Sequence, residues 1–323
     1  MQHIFVINPK SFVKKADIDA VISQINSFFD AHTELDYTIY LSAFPRDATA
    51  VIRKRMKEAG KGQAVRVYAV GGDGILFDCL NGVVGFPNAE LASIPYGKSN
   101  DFLRAFGEGK YEFFRNISRM VEEKETIPTD LLYYGNNYAI NTSSVGLESI
   151  AIIKCYGLNQ KYRRYLNKFP FLYNFMVLLA GIISLFDQKL VHQYYEINID
   201  GDDYSGNYAT INIANGPCYG GSMCAVPTAV PDDGFMDIQL FKSTGTIKML
   251  TVLHPYLHGK QPKNLVVLKR AKKVSIRSAA PLMIQLDGEI LIDTNITMEL
   301  VPRAVKIVTV NGLRYQARAN YSE

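Results

Sequence analysis

No apolar run in this 323-residue chain is long enough to cross a bilayer as a helix; the longest, residues 176–186, is broken by Gly181 and Ser184. The opening residues 1–9 hold no charged leader ahead of an apolar core, so a secretory signal is not expected. Cysteine is scarce. Cys79, Cys155, Cys218 and Cys224 form no C-x-x-C pair and have no zinc spacing, which suits small buried thiols in a reducing cytoplasm. The net charge of +4 is mild, and the twenty tyrosines show no stacking pattern, so a nucleic-acid partner is not expected. His254 and His258 are four residues apart, but Pro255 lies between them and no acid is near, which argues against a metal pair. There is no Gly-x-Ser-x-Gly elbow, no internal repeat and no low-complexity segment.

With 48% hydrophobic and 20% charged residues, the composition is that of a globular protein, and the length predicts two domains. The chain is organised around residues 67–82. An apolar, partly β-branched run reads as a buried strand and turns through Gly71, Gly72, Asp73 and Gly74 into a helix carrying Ile75, Leu76, Cys79 and Leu80. A strand that turns on glycines into a helix presents backbone N–H groups and a partial positive charge to an anion. Asp73 suits such a place only if a divalent cation bridges it to phosphate.

Before this turn, residues 3–7 read as a strand ending at Asn8, Pro9, Lys10 and Ser11, residues 17–29 as a helix, 36–41 as a strand and 48–59 as a helix. After it, residues 91–94 form a strand ending in Gly97, Lys98, Ser99, Asn100 and Asp101, with a helix starting at Phe102. Alternating strands and helices predict a doubly wound parallel sheet that binds ligands at the carboxyl ends of its strands. Beyond Ile127 and Pro128 the texture changes. A hairpin over residues 131–141 turning at Asn136–Asn137, and short strands at 193–199, 207–214, 236–241, 273–277 and 282–286, predict an antiparallel β domain around a helical insertion at 147–190.

The loops resemble those of the diacylglycerol kinase catalytic-domain family, in particular the bacterial soluble lipid kinases related to sphingosine and ceramide kinases. The likeness runs through nearly the whole chain. It rests on Asn8 to Ser11, Ser42 with Asp47 and Ala48, the Gly-Gly-Asp-Gly turn with Asn81 and Gly82, and Asn100–Asp101–Phe102. It continues through Gly146–Leu147–Glu148, Asn215–Gly216–Pro217 with Gly220 and Gly221, Asp232–Asp233–Gly234, and Asp287–Gly288–Glu289.

The resemblance implies an α/β plus all-β protein. A Rossmann-like, NAD kinase/diacylglycerol kinase-like domain would span residues 1–129, completed by 303–323, and an antiparallel β-sandwich would span 130–302 and bind lipid. It implies transfer of the γ-phosphoryl group of ATP to a lipid hydroxyl, with Mg²⁺, in the cleft between domains. Asn8, Ser11, Ser42, Gly71, Gly72, Gly74, Ile75, Lys98, Ser99, Asn100 and Asp101 would line the nucleotide site. Asp73 would hold the catalytic cation, and Asp287 and Glu289 together would serve as the acid–base pair. Val230, Asp233 and Phe235 would hold a structural Mg²⁺ through oxygen ligands. A basic residue shortly after the first loop falls at Lys14 or Lys15.

The sequence departs from the family pattern at Phe12 for glycine, at Ile75 and Lys98 for threonines and at Glu148 for aspartate. Two hydroxyls near phosphate are thereby lost, each a contact of about 1.5–3 kcal/mol if made to a charged group. Lys154, Lys161, Arg163, Arg164 and Lys168 precede an apolar stretch at 169–186, a pattern suited to transient contact with the inner face of a membrane. The resemblance also admits a homodimer, with no interface legible. Two other readings stand beside the lipid kinase: a kinase of a soluble acceptor, as the NAD kinases share the Gly-Gly-Asp-Gly turn, and a lipid- or nucleotide-binding protein without turnover.

Overall fold

The computed structural model describes residues 1–12, 14–97, 99–150, 182–186, 191–220, 223–257 and 259–318. Its first half begins with β1 (Gln2–Ile7), α1 (Lys15–Asp30), β2 (Asp36–Leu41) and α2 (Asp47–Ala59). β3 (Val65–Gly71), α3 (Asp73–Val83) and β4 (Ala89–Pro95) follow. The strands lie parallel in the order β4-β3-β1-β2, so the loops after β1, β3 and β4 leave neighbouring strand ends. β3 is buried along its whole length, as its β-branched run requires between two helical layers. α1 turns Val21, Ile25, Phe28 and Phe29 onto the sheet, where Phe5 stacks on Tyr68 at 4.1 Å. A Cβ on Gly82 would stand 2.7 Å from Ile52, so the glycine lets α3 and α2 pack closely.

The helix expected from Phe102 is a short 3₁₀ turn, Phe102–Phe106, ended by Gly107 at φ +107°. A helix not foreseen, α4 (Ile117–Glu122), follows. β5 (Thr126–Tyr134) and β6 (Asn137–Ala139) make the predicted hairpin, turning at Gly135–Asn136 instead of one residue later. β7 (Thr142–Gly146) leads into a helix beginning at Leu147. Most of the expected insertion, including the basic cluster from Lys154 to Lys168, lies outside the described residues, as do Lys98 and His258.

The remaining elements are β8 (Tyr194–Ile199), β9 (Asp202–Asp203), β10 (Gly206–Ala214), β11 (Met236–Lys242), α5 (Thr246–Leu257), β12 (Val266–Ala271), β13 (Lys273–Leu286) and β14 (Glu289–Val308). Their strands pair antiparallel around a core of Val145, Ile211, Ile213, Ile238, Leu240, Ile276 and Ile284. Twenty-residue β14 joins the halves: antiparallel to β13 and β5, it meets β4 in parallel at Ile307 and Leu91. It bends at a register shift between Val301 and Val305, where Arg303 at φ +53° donates its N–H to Asp130 Oδ1 (2.7 Å). Bent and pleated strands of this length escape a sequence reading, which isolates only the apolar end at residues 305–310.

Two of the cysteines expected as thiols are joined: Cys218 and Cys224 form a disulfide, whereas Cys79 is a buried thiol. Tyr219 and Met223 exchange backbone hydrogen bonds of 2.8 and 3.0 Å, and that tight loop sets the flanking sulfurs side by side at a separation no motif rule covers.

His3 is buried against Tyr68, its Nδ1 2.8 Å from the phenol oxygen, and burial with the nearby Arg66 charge pushes its pKa down to about 4. Unfolded, the ring takes its proton near 6.5, so below that pH the unfolded chain binds more protons and stability falls as pH drops from about 6.5 to 4. Denaturant titrations should show His3→Asn losing much of this acid-side slope, up to about 3 kcal/mol in total.

Candidate active site

The strand ends build the site from three loops. Asn8 donates its N–H to the Val70 carbonyl (3.1 Å), tying the first loop to the end of β3, and its Oδ1 accepts from Lys10 N–H (3.0 Å). The Gly71 carbonyl accepts from Tyr96 and Gly97 N–H, both at 2.9 Å. A Cβ on Gly97 would stand 2.3 Å from Gly72 Cα, so backbone meets backbone where those loops cross, and one on Gly71 would stand 2.8 Å from the Ser11 side-chain Oγ. Asn100 is spent on its own loop, donating Nδ2–H to the Gly97 carbonyl (2.9 Å). Gly74 is different: nothing lies within 4 Å of its missing side chain.

The loops after β1 and β3, with the β2–α2 connection, face an open cleft of about 130 Å³ lined by Asn8, Lys10, Ser42, Phe44, Gly74, Asp78 and Glu289, among others. The cation in its wall is Lys10; Lys14 and Lys15 stand exposed at the start of α1. Ser42 Oγ donates to Asp47 Oδ1 (2.8 Å), and Asp47 also accepts from Ala43, Phe44 and Tyr40. The Ser42–Asp47 segment is therefore a turn closed on the first carboxylate of α2. Ile75 is buried to 2% exposure, and Phe12 stacks on Tyr96 at 5.0 Å, so both departures from the family pattern are absorbed into packing.

Asp73 opens α3, and its carboxylate accepts N–H bonds from Asp101 (3.1 Å) and Phe102 (3.4 Å). Ser99 Oγ donates to Asp101 Oδ2 (2.7 Å). Burial and the Asp101 charge push Asp73 up to about 6. Asp287 and Gly288, at φ +47° and +92°, are the two-residue turn between β13 and β14, the geometry that favours Asp-Gly. The carboxylate of this turn points inward, accepting from the N–H groups of Ile140 (2.7 Å), Asn141 (3.1 Å) and Thr142 (2.8 Å). Burial is the main force pushing Asp287 up to about 7; the amides oppose it and the Asp73 charge adds to it. The Asp73 charge thus raises the proton affinity of a carboxylate from the other half of the chain. A buried carboxylate such as Asp73 offers the hard oxygen donors that a divalent cation takes.

The set predicted for a structural Mg²⁺ carries its one acid, Asp233, in an ion pair. Of Val230, Asp233 and Phe235 only Asp233 is charged; its carboxylate is ion-paired with Arg270 and accepts from Phe235 N–H (3.0 Å). Among the described residues no cluster of three His, Cys, Asp or Glu side chains is arranged for a metal.

Arg46 is a site residue that the sequence reading missed. Its backbone has φ +70° and donates to Asp78 Oδ2 (3.0 Å), while its guanidinium lies 4.3 Å over Phe77. The same group reaches Asn137 Oδ1 (3.2 Å) and Glu289 (3.4 Å) on the other half. Asn81 makes a second bridge: its Oδ1 accepts from Tyr138 N–H and its Nδ2 donates to the Tyr138 carbonyl, both at 2.9 Å. Asn81 belonged to a quoted motif with no role attached; Arg46 carried no signal, because its partners are remote in sequence.

Residues 2–133 match the Diacylglycerol kinase catalytic domain, and residues 156–309 match the YegS C-terminal NAD kinase beta sandwich-like domain. The chain belongs to the diacylglycerol kinase catalytic-domain family. A Staphylococcus aureus strain N315 protein with a provisional lipid kinase name is 23% identical over 254 residues, covering 76% of this chain and 78% of its own. A provisionally named diacylglycerol kinase of Bacillus anthracis strain Sterne superposes with a TM-score of 0.71 at 21% identity, over 96% of this chain and 97% of its own. A second diacylglycerol kinase structure from that strain gives 0.68 at 20%, over 97% and 98%. These structures share the fold: the α/β domain followed by the β sandwich-like one.

Replacing Gly97 by alanine should cost about 1–3 kcal/mol, because backbone blocks the new methyl. Gly74→Ala should hold or gain up to about 1 kcal/mol, alanine being the better helix former. Paired thermal melts check the contrast.

Proposed function

We propose that the protein transfers the γ-phosphoryl group of ATP to the hydroxyl of a diacylglycerol-like lipid, in the cleft between its two halves. The observation that carries this reading is the convergence of Asp73 and Asp287 beside a glycine-lined, Lys10-bearing cleft at the strand ends. A cleft of about 130 Å³ suits a polyphosphate chain and leaves the base of the nucleotide outside it. Gly74, with open space where a side chain would stand, lets phosphate approach the amides that open α3. Lys10 offers the charge, with Asn8, Ser11, Ser42 and Ser99 at the loop ends; Lys98 lies outside the described residues. Mg²⁺, when held by Asp73, would neutralise charge on the phosphate oxygens.

Three amides surround the Asp287 carboxylate, the Asn141 N–H being shared between its two oxygens at 3.1 and 3.3 Å. A carboxylate raised to about 7 and fixed this way is matched to taking a hydroxyl proton near neutral pH. Glu289, half exposed and paired with Arg46, orients the cleft wall and the approaching acceptor. Arg46, held between Asp78 and Glu289, sits where a γ-phosphate would draw it away from Glu289. Ile75 and Phe12 are packed residues, so their presence leaves the carboxylates untouched and supports an active enzyme over a silent binder.

Phosphate transfer from labelled ATP into diacylglycerol, monoacylglycerol, ceramide, sphingosine and phosphatidylglycerol in mixed micelles tests the reading. One lipid should be labelled, with Asp287→Asn and Asp73→Asn each lowering the rate by about 10²–10⁴-fold and Glu289→Gln by less. Transfer to water-soluble hydroxyls alone, or none with nucleotide still bound, would contradict it.

A further inference from the structure

We infer that the outer face of α5, together with residues 182–186, is a docking surface for an anionic lipid bilayer. Two short elements share one core there. Leu185 and Met249 are buried in it with Phe241 and Tyr256, and Thr246 Oγ1 donates to the Leu185 carbonyl (3.1 Å), holding the elements side by side. Their opposite faces carry large apolar side chains in water: Ile247 is 80% exposed, Phe186 64%, Ile183 56% and Leu250 37%. Four such side chains on neighbouring turns form a patch, unlike the scattered apolar residues normal to a surface.

The charge around the patch selects its occupant. Residues 238–286 contain nine Lys or Arg and no Asp or Glu, although the whole chain is only +4. Lys248 stands between Ile247 and Leu250, and Lys242, Lys260 and Lys263 are exposed on the connections flanking α5. Among the described residues none of these four lysines is ion-paired. Apolar side chains within a cationic rim match the acyl boundary and anionic head groups of a bilayer. A second copy of the same face would bring lysines against lysines. This surface is independent of which hydroxyl is phosphorylated, so its test does not need activity.

The full chain should co-sediment with phosphatidylcholine vesicles containing phosphatidylglycerol, much less with phosphatidylcholine alone, and should be released by salt. Ile247→Asp/Leu250→Asp should lower the partition coefficient by about tenfold or more while keeping the melting temperature and the near-ultraviolet circular dichroism. Ile292→Asp, removing a side chain 69% exposed on β14, should leave binding unchanged. No binding to either vesicle, equal binding to both, or binding unaffected by the double substitution would overturn the inference. A soluble dimer that the double substitution dissociates would overturn it too, in favour of a second copy.

Discussion

Two buried carboxylates from different halves of the chain set the terms for the rest of the structure. Asp73 comes from the first turn of α3, and Asp287 from the turn between β13 and β14. Neither position is favourable for a charge alone. Each is tolerated because backbone amides are aimed at it: Asp101 and Phe102 for the first, Ile140, Asn141 and Thr142 for the second. The amides in turn are fixed by distant parts of the chain. Asn141 is held by the disulfide-closed loop, its Nδ2–H donating to the Cys218 carbonyl at 2.7 Å, and its own carbonyl accepts from Asn215 and Gly216.

Holding the halves in register is the work of β14, Asn81 and Arg46. β14 joins the parallel and antiparallel parts of one continuous sheet, so the turn carrying Asp287 is built on the strand that pairs with β4. Asn81 clasps the backbone of Tyr138, and Arg46 spans Asp78, Asn137 and Glu289. The Asn81 bridge is buried and satisfied on both sides, so it fixes one relative placement: a shifted one strands its donor and acceptor without water. The exposed apolar patch on α5 lies on an element outside this frame.

Much of the α/β half is legible in the sequence, because its signals are local: apolar runs for β1, β3 and β4, helical spacing in α1 and α2, and glycines at the turn into α3. The loops were legible as motifs. What they do individually was less so. Asn100 reads as a ligand contact but hydrogen-bonds its own loop, and Lys10 rather than Lys14 or Lys15 faces the cleft. The β half was harder, since strand order and the length of β14 depend on pairings across more than a hundred residues. Arg46 and the Cys218–Cys224 pair escaped for the same reason, since their contacts are made by the fold and not by spacing. No helix among the described residues is long and apolar enough to cross a membrane.

Melting temperature against pH, with and without Mg²⁺, tests the carboxylate pair most directly. Unfolded aspartates release their protons near 4, whereas Asp73 and Asp287 hold theirs to about 6 and about 7. The folded chain therefore binds more protons over this interval, and the pair lowers stability as pH rises from about 4 to 7. A cation held by Asp73 should offset part of this loss, so Mg²⁺ should raise the melting temperature at pH 8, have little effect at pH 5, and lose its effect in Asp73→Asn. An equal shift at both pH values, or one that survives Asp73→Asn, would contradict the account.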